Sequence, residues 1–173
     1  MVLSLTCQTI NRDVGQKMKT GDDILAACDK AEGLAPDRYP PTLPAKKEPL
    51  GAPDWYPFEH EAWPIGEKIR QSLAAAPRLK KDEAIQERIV RVIENRNLRR
   101  GRQSFVMALA HSAAAKMKVR IAPFLSDPDI DGHVVDALLK MRAFEFAAEV
   151  RPLLESDRTW IRKKAKQYLE RAK

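Results

Sequence analysis

Four arginines crowd one short stretch, Arg96-Asn97-Leu98-Arg99-Arg100-Gly101-Arg102-Gln103. Guanidinium groups suit bidentate capture of carboxylate or phosphate, and the choice of Arg over Lys favours that role over simple solvation. A second basic run, Arg162, Lys163, Lys164 and Lys166, lies near the C-terminus. Between them, Asp127-Pro128-Asp129-Ile130-Asp131-Gly132 has the opening of a calcium-binding loop. That chemistry needs an oxygen ligand or water at the ninth position and a bidentate Glu at the twelfth. Val135 and Leu138 stand there instead. The aspartates are therefore read as caps at the positive end of a helix, and no metal is expected.

Catalytic constellations are absent from the sequence. His60, His111 and His133 share no i, i+4 spacing, and His60-Glu61-Ala62-Trp63 is not a zinc helix. Neither a P-loop nor a Gly-rich fingerprint occurs among the seven glycines. Cys7 and Cys28 have no metal-ligand spacing with a histidine, and two cysteines cannot make a disulfide scaffold at this size. A non-enzymatic chain without cofactors is expected.

The 173 residues are 44% hydrophobic and 32% charged, with a net charge of +7. Residues 1–79 hold 10 basic and 11 acidic residues and nine of the twelve prolines. Residues 80–173 hold 21 basic and 13 acidic residues, so the whole positive excess lies there and an anionic partner is expected. The start, MVLSLTCQTINRD, lacks a basic n-region and a cleavage site, and no stretch approaches the ~20 apolar residues of a membrane span. Free cysteines without an export signal imply a reducing cytoplasm and no membrane role.

The positioning elements follow from periodicity and punctuation. Residues 21–30 predict a short helix, capped by Asp22 or Asp23, with Ile24, Ala27 and Cys28 on one face. Eight prolines between Leu34 and Pro64 predict extended and turn-like chain, followed by a helix over 65–76. Five of the eleven aromatics (Tyr39, Trp55, Tyr56, Phe58 and Trp63) fall in that stretch, too many for a free linker. It is expected to dock on the folded domain, with the Trp55–Phe58 cluster covering its open first end; the alternative is that the cluster is a partner-binding motif.

Beyond residue 80 the chain aligns with itself. Arg88–Asn95 lies over Arg120–Asp127 and Glu149–Ser156, each closing an amphipathic helical pattern. A second helix follows each copy, with Ala108, Ala137 and Ala165 at equivalent central positions. The turn in the first copy is about three residues longer than the others, and the arginines collect there. Aspartate and threonine in the other two turns are expected to act as N-caps.

DPDIDGHVVDALLK and SDRTWIRKKAKQYL, with Pro123 and Pro152 inside helical patterns, resemble HEAT repeats over residues 82–173. Arg91 stands where the first copy should carry the proline. The resemblance implies an all-α fold: a short α-α superhelix of about three helix pairs over 80–173, behind a Pro/aromatic-rich N-terminal extension over 1–79. It implies an interaction scaffold binding another protein with an acidic surface, or alternatively nucleic acid. The expected contact residues are Arg96, Arg99, Arg100, Arg102, Gln103, Arg162, Lys163 and Lys166. HEAT-like DNA glycosylases place an Asp carboxylate beside aromatics on a basic concave face. Asp136 and Trp160 are the residues to nominate here, but no motif matches and no catalytic role is carried over.

Overall fold

The computed structural model describes residues 18–41 and 54–172. Cys7, the N-terminal sequence and residues 42–53 of the proline-rich stretch lie outside the described residues. Among those described there are only helices and turns. Eight α-helices follow one another: α1 (Gly21–Glu32), α2 (Pro57–Ala75), α3 (Glu83–Glu94), α4 (Gln103–Leu109), α5 (Lys118–Ile121), α6 (Asp131–Met141), α7 (Ala147–Val150) and α8 (Thr159–Arg171). None is long and apolar enough to cross a membrane.

Packing alternates along the chain. Odd-numbered helices touch odd-numbered ones, α1 on α3, α3 on α5, and the 3-10 continuation of α5 on α7; even-numbered helices pack as α2 on α4, α4 on α6 and α6 on α8. One apolar core runs throughout, from Ile24 and Cys28 in α1, through Ile69 and Leu73 in α2, to Ile161, Ala165 and Tyr168 in α8. The chain before residue 80 therefore supplies a helix pair of its own, α1 with α2, which continues both layers.

Pro123 and Pro152 each mark a change of helix geometry. α5 passes into a 3-10 segment at Ala122–Ser126 and α7 into one at Arg151–Glu155, each with its proline in the first two positions. There the ring removes an N–H that an α-helical turn would need. α3, with Arg91 at the equivalent position, runs through unbroken. The central alanines Ala108, Ala137 and Ala165 are all buried at helix contacts. Between α2 and α4 the approach is closer still: a Cβ on Gly66 would lie 2.8 Å from Phe105 Cδ2.

Three local expectations are corrected. α2 begins at Pro57, well inside the stretch read as extended. Pro57 fits the first turn, where its missing N–H has no partner to lose. Pro64 lies on the exposed side of the helix with His60, so the unbonded carbonyl faces water. α1 is capped by Thr20, not by Asp22 or Asp23; the Thr20 hydroxyl accepts from Asp23 N–H, and Asp23 accepts from Thr20 N–H to close a capping box. Neither α6 nor α8 has a side-chain N-cap. Before α6 the aspartates bond arginines instead, and at the start of α8 the Thr159 hydroxyl accepts from Arg162.

Repeat-equivalent residues also tie the odd layer together. Arg88 of α3 pairs with Asp29 and Glu32 of α1, and Arg120 of α5 pairs with Glu87 and Glu94 of α3. These pairs are partly solvated and contribute little each, but they fix which helix lies beside which.

Candidate functional site

The arginine-rich turn after α3 folds inward. Asn95 accepts from Asn97 N–H at its start, and Arg99 then adopts φ 47° and ψ −126°. Positive φ is unfavourable for a side chain other than glycine, by roughly 1–3 kcal/mol. Here it aims Arg99 at Asp129: Nε and Nη2 donate to the two carboxylate oxygens at 3.2 and 3.3 Å, and Nη1 donates to Pro41 C=O at 3.0 Å. Tyr39 and Tyr56 present their ring faces to the same guanidinium, at 5.4 and 5.9 Å. Arg102, with no exposed surface, donates to Arg99 C=O, Ile93 C=O and Asp127 Oδ2 at 2.7, 3.1 and 2.9 Å.

The neighbouring residues complete this internal network. Glu59 of α2, itself buried, accepts from Tyr56 N–H and from Arg100 N–H. Arg100 Nη1 donates to Asp54 C=O, and its Nε lies 3.6 Å from Asp129. Gln103 donates to Asp129 C=O at 2.8 Å. Tyr39 hydroxyl donates to Asp129 as well, and Asn97 donates to Pro36 C=O. Both described ends of the proline-rich stretch thus lie against the turn after α3. One turn further along, Arg158 makes a two-oxygen contact with Asp131 at 2.7 and 2.8 Å.

This changes what the arginine stretch can do. Arg99 and Arg102, expected as contact residues, are 8% and 0% exposed. Buried charge must be paired, and the Asp127–Asp129 turn supplies the carboxylates from inside the chain. Arg100 and Gln103 are half-buried and occupied by the same turn. Arg96 remains exposed, with its guanidinium 5.3 Å from the Phe124 ring. On α8, Arg162 folds back onto Ser156 C=O, Asp157 C=O and the Thr159 hydroxyl. Lys163 and Lys166 are exposed.

A second cluster of cations lies elsewhere. A cleft of about 360 Å³ opens on the even-numbered layer, between α2, α4, α6 and α8. Arg70, Lys80, Lys140 and Lys164 line it against a single carboxylate, Asp136. Lys140 Nζ lies 2.7 Å from Asp136 Oδ2, and Lys164 Nζ lies 2.6 Å from Oδ1 as an ion pair off the hydrogen-bonding direction. Burial pushes the Asp136 carboxyl up, but the two ammonium groups outweigh it and hold the group below its usual range. Arg70 is engaged by Glu67. The rim carries Trp160, 42% exposed, whose ring meets His133 edge-on at 5.2 Å.

Two histidines line the same cleft. Burial lowers His133 to about 4, and burial with Lys80 nearby also lowers His111. Both are neutral at pH 7. Neither ring nitrogen of His111 has a hydrogen-bond partner among the described residues, although both are buried. Cys28, by contrast, is no nucleophile: burial pushes its thiol up to about 12. Among the described residues no three metal-ligating side chains come together.

The structure thus brings Asp136 and Trp160 into one site, which sequence spacing alone could not do. Lys80, Lys140 and His111 were not expected in it. A signal for the cleft is nevertheless present: Met107, Asp136 and Lys164 each directly precede the central alanine of a repeat, and all three line it. No protein-family model, curated protein or solved structure matches the chain.

Proposed function

We propose that this chain is a non-enzymatic interaction protein of the HEAT-like solenoid type, acting in the cytoplasm and binding a protein partner that presents an acidic surface. The solenoid reading is supported by the odd-on-odd and even-on-even order of helix contacts and by the prolines that switch α5 and α7 to 3-10 geometry. The binding reading rests on one observation: three lysines meet one carboxylate in a cleft whose rim is an exposed tryptophan. Charge of one sign in a concave site favours an oppositely charged partner and speeds its encounter. Half-exposed aromatic residues are the common anchors of such contacts.

Nucleic acid is the second reading, favoured by the same tryptophan, because a ring among ammonium groups also stacks bases beside their phosphates. It ranks second because Lys140 and Lys164 close on a single carboxylate instead of tracking a backbone. Affinity purification of the tagged protein from its native cell, with and without nuclease, separates the two. A partner retained after nuclease supports the first reading, and one lost with nuclease supports the second.

A further inference from the structure

We infer that the cleft is a receptor for an acidic peptide segment, and that Asp136 is an internal stand-in for the partner's carboxylate. In the bound state an Asp or Glu side chain of an extended segment takes the place of Asp136 on Lys140 and Lys164. Lys80 neutralises a neighbouring carboxylate, and Trp160 covers the segment's aliphatic stem. This deepens the protein-partner reading and rests on it.

Four features carry the inference. First, the two lysines come from successive even-numbered helices and close on one carboxylate at 2.7 and 2.6 Å, so the geometry for holding a carboxylate between two ammonium groups is already built. Second, Asp136 is reachable from the cleft: it lines the wall with its side chain 18% exposed, so an entering carboxylate meets the same two ammonium groups. Third, charge remains in excess when Asp136 is counted: Lys80 lines the cleft with no carboxylate partner among the described residues. Fourth, His111 lines the cleft near Lys80 with neither ring nitrogen hydrogen-bonded among the described residues, so the neutral ring keeps one donor and one acceptor unused. A volume near 360 Å³ lies at the small end of ligand pockets, with room for one or two side chains and none for a folded element.

The test uses the full chain labelled with ¹⁵N and a short acetylated, amidated peptide of alternating glutamate and leucine. Its glutamine counterpart and a short oligothymidylate strand serve as competing probes. The glutamate peptide should shift the Trp160 indole N–H, assigned with Trp160→Phe, and the glutamine peptide should not. Asp136→Asn should lower the melting temperature yet tighten the peptide by about fivefold, because the internal competitor is gone; a purely structural Asp136 would give no gain. Lys80→Glu should weaken binding by about tenfold with an unchanged melt, which keeps the test open if the Asp136 variant folds poorly.

Weakened or unchanged affinity in folded Asp136→Asn overturns the inference. So does equal binding of the glutamine peptide, or tighter binding of the oligothymidylate, which would make the cleft a nucleic-acid site. A nuclease-resistant cellular partner that still binds Lys80→Glu at full strength would remove this site while leaving the protein-partner reading intact.

Discussion

Arg102 Nη2 lies 2.9 Å from Asp127 Oδ2 with no part of the arginine exposed to solvent. The most basic turn of the chain is joined in this way to the most acidic one. Residues that suggest an anion-binding edge and residues that suggest a calcium loop are the two halves of one internal network. Their charges cancel each other, and the net positive charge of the molecule is displayed by other side chains.

Arg102→Met should therefore act on stability. It leaves the Asp127 carboxylate buried without its partner, a change that typically costs about 3–5 kcal/mol. Combining it with Asp127→Asn should recover part of the loss, since two neutral groups replace a lone charge. Urea denaturation of the two variants checks this; equal loss in single and double variants would mean the pair is not coupled.

The close contact of α6 with α8 depends on Gly132. A Cβ there would fall 2.7 Å from Ile161 Cγ1 and closer still to the Trp160 indole. Gly132→Ala should displace Trp160, with a stability loss of about 1–3 kcal/mol and a blue or red shift of tryptophan emission. Unchanged emission would show that the ring has room to spare.

Ala137 provides the corresponding test in the middle of the even layer. It has no exposed surface, and leucine would overpack the helices against α6. Ala137→Leu should cost about 1–3 kcal/mol by thermal or chemical melt. A neutral outcome would contradict the register of the central alanines.

Stability should also fall in mild acid. His133 titrates at about 4 in the folded chain, below the ~6.5 of an unfolded histidine. Between those values the unfolded chain binds the extra proton, so stability is complete above pH ~6.5 and is lost as pH falls toward 4, by at most about 1.4 kcal/mol per pH unit. His111 is lowered in the same direction and adds to the slope. His133→Gln should flatten the dependence of melting temperature on pH between 6.5 and 4.5. An unaltered slope would assign the effect to other groups.

Helix content, the three late helix pairs and the alanine contacts were legible in the sequence because they follow from local periodicity. α2 was half hidden, because Pro57 and Pro64 read as breakers and only their positions, in the first turn and on the exposed face, make them tolerable. The arginine turn was legible as a cluster but not in its direction. A charge in sequence carries no sign of burial, and the matching aspartates lie one repeat away. The cleft escaped for a related reason: its cations, Arg70, Lys80, Lys140 and Lys164, come from four separate segments and are adjacent only after the helices stack.

Binding of a protein at the even-layer cleft can be read by site-specific photocrosslinking in the native cell. A benzophenone amino acid would replace Trp160 at the cleft rim or Val119, 65% exposed on α5 of the odd layer. A discrete, nuclease-resistant protein adduct is expected from position 160 and none from position 119. An adduct from position 119 alone, or one from position 160 that nuclease removes, would contradict it.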